Sequence, residues 1–281
     1  MPRQHASHDQ CQRRVPEKRF LLELHGGPLV GDWVTREPEY HIAIAPGEIP
    51  PLVLLPGDPD RARLIAEGFF KDSQEIARHR EYWSYRGKYE GVSVGVCSTG
   101  IGCPSAAIAL EELIKVGCTT FIRVGTAGAI EPSLKAGDLV IFTGAVRDEG
   151  TSRQYAPIEF PAVADPGIVR ALADSAKARG VKYRMGIGHT KDAFYSEFPE
   201  MVTDPERMRN YWQTLRRANV IATEMESAAL FVLGQVRQVR VGTACVIVGE
   251  SIDKEAKIVG KPKIDNLTLV ALDALKKMAN R

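Results

Sequence analysis

Three short loops carry the residue types that hold an anion. The first, Pro56-Gly57-Asp58-Pro59-Asp60-Arg61, follows an apolar run ending at Leu55 and places an arginine on the first turn of an expected helix. Exposed backbone N–H groups, a helix N-terminus and a guanidinium then converge on one point, which is the composition of an oxyanion site. The second, Ser98-Thr99-Gly100-Ile101-Gly102-Cys103-Pro104, is a glycine-rich turn from strand to helix that admits a ligand close to the backbone. The third, Arg123-Val124-Gly125-Thr126-Ala127-Gly128-Ala129-Ile130, again joins an arginine and a hydroxyl to glycines at the end of a strand. One glycine-rich loop is ordinary turn chemistry, but three of them with two strand-end arginines point to a phosphate. No G-x-x-x-x-G-K-[ST] and no clean G-x-G-x-x-G occurs, so free phosphate or a phosphate ester fits better than a nucleoside triphosphate or a dinucleotide. A fourth feature is Ala222-Thr223-Glu224-Met225-Glu226-Ser227-Ala228-Ala229-Leu230, where two carboxylates flank a methionine as an otherwise apolar helix is expected to begin. Taken alone, those carboxylates serve equally well as partners of the helix dipole.

The elements that must position these loops alternate along the chain. Short apolar runs predict strands at Leu52–Leu55, Val92–Ser98, Thr120–Val124, Leu139–Val146, Tyr183–Ile187 and Val241–Val248. Amphipathic spacing predicts helices at Pro59–Phe69, Pro104–Val116, Pro166–Arg179, Asp204–Ala218, Glu224–Val236 and Asn266–Met278. Pro59, Pro104, Pro166 and Pro205 sit where first helical turns are expected, and a proline there gives up no intrahelical hydrogen bond. This alternation predicts an α/β fold, a single domain with a central mixed β-sheet flanked by helices. Ligands of such sheets sit beyond the carboxyl ends of strands, where the three loops lie.

Composition narrows the partners. Lys+Arg and Asp+Glu nearly cancel, 37 against 35, leaving a formal charge of +2 and no field that would gather nucleic acid or an anionic membrane. The five cysteines (Cys11, Cys97, Cys103, Cys118, Cys245) contain no C-x-x-C pair and suggest neither a disulfide framework nor a metal site. No apolar run approaches the ~20 residues needed to span a bilayer, so a cytoplasmic location is expected. Residues 1–20 read as a flexible polar tail. Residues 21–50 read as an extended arm with one β-like stretch, Tyr40-His41-Ile42-Ala43-Ile44.

Taken together, the blocks resemble the nucleoside phosphorylase family, which includes uridine phosphorylase and the hexameric purine nucleoside phosphorylases, with the uridine branch closer. The resemblance runs from about Tyr40 to the C-terminus, with residues 51–281 as the catalytic domain. It is carried by the three loops, by His79-Arg80-Glu81, Phe160-Pro161-Ala162-Val163-Ala164-Asp165 and Asp192-Ala193-Phe194-Tyr195, and by Glu224-Met225-Glu226-Ser227-Ala228. It implies a pentosyltransferase that splits a ribonucleoside with inorganic phosphate into free base and ribose 1-phosphate, as in nucleotide salvage. It assigns phosphate to Gly57, Arg61, Arg80, Arg123 and Thr126. The ribose falls to His41, Glu224, Met225 and Glu226, and the base to Ala127, Gly128 and Phe194. His41 and Arg80 would enter the site of a neighbouring subunit, making a dimer the minimal active unit, with a homohexamer as the usual assembly. The resemblance implies no obligatory cofactor, phosphate being a co-substrate; Glu81, Ile101 and Ser105 match positions that hold a monovalent cation such as K+ at a dimer interface in some relatives.

Two departures bear on the base. Uridine phosphorylases follow their Phe-Tyr pair with a glutamine and an arginine that read uracil, whereas Phe194-Tyr195 is followed here by Ser196-Glu197-Phe198-Pro199-Glu200-Met201. Loss of buried polar readers implies altered or relaxed base choice. Glu250, in Val248-Gly249-Glu250-Ser251, lies near the position of a purine-branch aspartate that protonates the leaving base, and a glutamate of raised pKa could serve as that general acid beside Arg123 and Glu226. A purine nucleoside phosphorylase is therefore the first rival reading. A water-using nucleosidase of the same fold is disfavoured by the arginines, and a non-catalytic nucleoside-binding protein by the arginines together with Glu226. If the site is shared between subunits, Arg80→Ala and Glu226→Ala chains, each inactive alone, should recover partial activity when mixed. Confirmed heteromers without activity would contradict the sharing.

Overall fold

The computed structural model describes residues 37–249 and 264–279. In chain order the strands are β1 (Leu52–Leu55), β2 (Lys71–His79), β3 (Tyr82–Tyr89), β4 (Val92–Cys97), β5 (Thr120–Ala129), β6 (Leu139–Asp148), β7 (Ala162–Val163), β8 (Tyr183–Lys191), β9 (Ala222–Glu224) and β10 (Arg240–Gly249). The helices are α1 (Pro59–Phe69), α2 (Cys103–Lys115), α3 (Pro166–Ala178), α4 (Pro205–Arg217), α5 (Ser227–Val236) and α6 (Asp265–Ala279). The central strands are apolar without alternation because both of their faces are covered. On β1, Val53 and Leu55 join a core with α2 and α5, while Leu52 and Leu54 join one with α1, α3 and α6. All the strands belong to one mixed sheet, and the expected α/β class is the one observed.

The sheet has a closed part and an open part. β5 pairs in parallel with β10, β10 runs antiparallel to β6, and β6 is parallel to β8. β8 is parallel to β9, and β9 returns antiparallel to β5, so five strands form a ring. From β5 the sheet also extends outward through β1, β4, β3 and β2. β5 thus serves both parts, holding Arg123 between Leu55 of β1 and Thr243 of β10.

Helix starts follow the expected chemistry. Asp58, Asp165 and Asp204 cap α1, α3 and α4 by accepting from the N–H groups of Asp60, Ile168 and Arg207, and each cap is followed by a proline in the first turn.

Three local features differ from expectation. Tyr40–Ile44 forms a turn rather than a strand, with Ala43 at φ 54°, and Ile42 and Ile44 are buried in the core of their own chain. Two buried isoleucines spaced by one residue mimic strand alternation, but the carboxylate of Glu112 on α2 captures the N–H groups of His41 and Ile42 and winds the segment into a turn. The expected helix at Glu224 begins only at Ser227, because Glu224 closes β9. The β2–β3 hairpin was not expected: β2 is an outer strand, mostly exposed and rich in charge, so it lacks an apolar face. The N-terminal tail and Cys11 lie outside the described residues; the other four cysteines are buried thiols.

The ring is tightly packed at Gly188 of β8, opposite Ala145 and Ala222. A Cβ there would lie 2.3 Å from the Phe142 ring, which is fully buried. Gly188→Ala should therefore destabilise the protein by about 1–3 kcal/mol, the usual cost of overpacking a core. Urea unfolding measures this, and a stability equal to wild type would show that the ring yields at Phe142.

Candidate active site

One cavity of about 750 Å³ opens at the carboxyl ends of β1, β5 and β8. Gly57, Arg61, Arg123, Thr126, Ala127, Gly128, Phe194, Glu224, Met225 and Glu226 all line it, so most residues singled out from the sequence meet in one place.

Arg123 is the centre of the site. Its guanidinium is buried, 4% exposed, between two carboxylates: Nε donates to Glu224 Oε2 at 3.1 Å and Nη2 donates to Glu226 Oε2. The third nitrogen, Nη1, is buried without a hydrogen-bond partner among the described residues. Unsatisfied buried donors are rare because each forfeits its hydration, and this one faces the cavity's glycine loop. A Cβ on Gly57 would stand 3.9 Å from Nη1 and Nη2, and the glycine keeps that approach open. Arg61, from the first turn of α1, donates weakly from Nη1 to the Val124 carbonyl at 3.4 Å. Burial depresses the pKa of Arg61, and the nearby charge of Arg123 depresses it further. For Arg123, burial acts in the same direction, but Glu226 and Glu224 outweigh it and raise the pKa. Two guanidinium groups brought together with a spare donor make a site that an anion would complete.

The carboxylates are held by different means. Glu224 Oε1 accepts from the Thr190 hydroxyl at 2.6 Å, and Oε2 accepts from the Glu226 and Ser227 N–H groups at 2.9 and 3.0 Å, so this side chain caps α5 from the strand before it. Burial opposes its charge, yet Arg123 and these donors prevail and hold its pKa below the usual carboxylate value. Glu226 Oε1 accepts from the Gly102 N–H at 2.6 Å, which Gly102 presents by adopting φ 90° at the start of α2. Burial raises the pKa of Glu226, and the charge of Glu224 adds to the rise against the pull of Arg123.

Other candidates lie elsewhere. Arg80 occupies the β2–β3 turn at φ 53°, exposed and outside the cavity lining. His41 is also outside it, with Nδ1 2.6 Å from Glu112 Oε1. The two are neighbours, since His79 Nδ1 donates to the His41 carbonyl at 2.8 Å. Glu81, Ile101 and Ser105, by contrast, do line the cavity, where the Ser105 hydroxyl donates to Glu81 at 2.9 Å and Ile101 is 78% exposed. Glu250 lies outside the described residues.

Sequence reasoning missed Lys191 and Glu197, which line the cavity near Gly128 and form an ion pair with Nζ–Oε1 2.6 Å. Lys191 ends β8, and the rule that led to the other strand-end loops would have flagged it.

The fold and site together define an α/β enzyme with two arginines and a buried carboxylate lining one cavity. The comparisons agree: the model of the Phosphorylase superfamily matches residues 51–280. A uridine phosphorylase of Thermococcus kodakarensis is 44% identical over 244 residues, 86% of this chain and 87% of that protein. A guanosine phosphorylase of Halorubrum lacusprofundi is 39% identical over 212 residues, 75% of this chain and 83% of that one. The crystal structure of a uridine phosphorylase from Vibrio fischeri superposes with a TM-score of 0.76 at 30% identity, covering 87% of this chain and 98% of its own. The chain belongs to the phosphorylase superfamily.

The raised pKa of Glu226 has a measurable sign. In the folded protein this carboxyl keeps its proton to higher pH than in the unfolded chain, so its ionisation removes stability as pH rises from about 4.5 through the folded value. A glutamine amide in its place would not titrate. In phosphate-free buffer, the Tm of Glu226→Gln relative to wild type should therefore be more favourable at about pH 8 than at about pH 5. An equal difference at both pH values would contradict the raised pKa.

Proposed function

We propose that this protein is a nucleoside phosphorylase: it cleaves the N-glycosidic bond of a ribonucleoside with inorganic phosphate, releasing the free base and ribose 1-phosphate. The observation that carries this reading is the partnerless Nη1 of Arg123. An enzyme using water has no need of a second donor beside Arg61, whereas a phosphate dianion gives up its hydration only to groups that replace it.

In this reading phosphate rests on Arg61, Arg123, Thr126 and the Gly57 loop, and one of its oxygens attacks C1′ of the ribose. The C1′–N bond breaks, its electron pair leaves with the base, and the proton of the hydrogen phosphate dianion, relayed by solvent, neutralises the base. As that bond lengthens the sugar gains oxocarbenium character. The Glu226 carboxylate then serves twice, accepting from the ribose hydroxyls and lowering the energy of the positive sugar. Such electrostatic help depends on groups that are already in place. Glu226 is held from both ends, by Gly102 and by Arg123.

Arg80 and His41 lie outside the cavity of their own chain, linked through His79, which supports the reading that each site is completed by a second subunit. A dimer is then the smallest active unit, within a hexamer acting in the cytoplasm. Among the described residues no helix is long and apolar enough to cross a membrane.

The test is release of free base from uridine, thymidine, inosine, guanosine and adenosine, with and without phosphate. Strict phosphate dependence is expected, and equal rates without phosphate would establish hydrolysis instead. Arg123→Ala should raise the KM for phosphate and lower kcat on the order of 100-fold or more, the scale set by removing one preorganised charge-stabilising donor. Glu226→Ala should abolish turnover while phosphate binding persists. Full activity in either variant would refute its assigned role.

A further inference from the structure

The cavity holds a second charged pair that phosphate chemistry does not use. Lys191 Nζ lies 2.6 Å from Glu197 Oε1 and also donates to the Thr223 hydroxyl at 3.0 Å. The two side chains are 3% and 12% exposed, and both line the cavity. A buried ion pair is a weak source of stability, because desolvating two charges consumes most of what their attraction returns. Its position is the informative part. Glu197 Oε2 lies 3.3 Å from where a Cβ on Gly128 would stand, on the cavity wall that also includes Phe194.

The pair is held in a fixed orientation. Thr223 is a junction: its Oγ1 accepts from Lys191 and lies 2.9 Å from His189 Nδ1. His189 is fully buried, and its Nε2 lies 3.2 Å from Asp148 Oδ2 and 3.3 Å from the Tyr211 hydroxyl. Burial lowers the pKa of His189 against the pull of Asp148, which favours the neutral ring. With Nε2–H donating to Asp148, Nδ1 accepts from the Thr223 hydroxyl, leaving the Thr223 lone pairs for Lys191. An ammonium has three N–H groups. Thr223 takes one and Glu197 a second, so one remains for a ligand, beside the Glu197 Oε2 acceptor, which has no hydrogen-bond partner among the described residues.

We propose that Lys191 and Glu197 are the specificity-determining residues for the base, and that they select bases presenting a carbonyl beside a ring N–H: uracil, hypoxanthine or guanine. This rests on the phosphorolysis reading above. The carboxylate accepts from the ring N–H and the ammonium donates to the adjacent carbonyl oxygen. When the glycosidic bond breaks, its electron pair spreads into the base and onto that oxygen, so the ammonium contact strengthens in the transition state. Amino bases place an NH₂ group where the carbonyl would be, and an ammonium cannot donate to it.

The experiment compares Glu197→Gln and Lys191→Met with wild type on uridine, inosine, guanosine, cytidine and adenosine, reading kcat/KM for the nucleoside and KM for phosphate. Wild type should prefer the three carbonyl bases. Both variants should lose about 10–100-fold on those substrates, the scale of leaving one buried donor or acceptor without its partner, with the phosphate KM within about twofold of wild type. The ratio of inosine to adenosine activity should fall in both, a change that a merely structural pair would not produce. An equal loss on all five nucleosides, or none, would overturn the assignment, as would a wild type that prefers adenosine or cytidine. If Lys191→Met does not fold, Glu197→Gln decides alone. Calorimetry with free uracil, hypoxanthine and adenine separates the two readings. If wild type does not release base with phosphate, the phosphorolysis reading fails. Weakened binding of hypoxanthine by Glu197→Gln would still uphold the pair, and unchanged binding would refute it.

Discussion

A guanidinium buried between two carboxylates persists only where the surrounding chain leaves none of the three an alternative. Arg123 is fixed by β5, Glu224 by β9, and Glu226 by the junction of β9 and α5, so each charge comes from a different point of a rigid frame. Removing one member would strand the others without compensation, at a cost of roughly 3–5 kcal/mol for a buried pair. The frame thus holds the Glu226 carboxyl next to the spare donor of the arginine. On the proposed reading, a phosphate and a pentose meet across a short gap whose electrostatics are set before either arrives.

Two of these charges share a further role. Glu224 accepts from the first N–H groups of α5 and at the same time from Arg123, so the start of the helix and the position of the arginine are one structural event. The carboxylate read from the sequence as a partner of the helix dipole is therefore such a partner, but from the strand side, and the apolar helix begins three residues later than its composition suggests.

Much of this was legible in the residues. Strands covered on both faces are continuous apolar runs, and β1, β4 and the first half of β5 stand where those runs predict; Asp-Pro pairs announce α1, α3 and α4. The glycine and arginine loops that the sequence singled out do meet at one cavity, because their chemistry is local. What depended on distant pairing was not legible. Nothing in β2 distinguishes a charged outer strand from a loop, and β9 is three residues long, too short for a period to register. Closure of the ring through β5 and β10 joins segments more than a hundred residues apart. Of the Lys191–Glu197 pair, Lys191 stands at a strand end and was open to the same rule as the other loops, whereas Glu197 is unremarkable alone and reaches it only through the bend after β8.

The ring divides what can change from what cannot. Its five strands lock one another in register, so a substitution that moved Arg123 or Glu224 would have to shift several ladders together. The segment after β8 is different, because between β8 and α4 the chain makes only two 3-10 turns, Phe194–Glu197 and Pro199–Met201, and pairs with no strand. Replacement, shortening or lengthening of that stretch leaves the ladders intact. On the proposed reading, new preferences for the leaving group can evolve there one residue at a time, while the reaction itself is inherited unaltered.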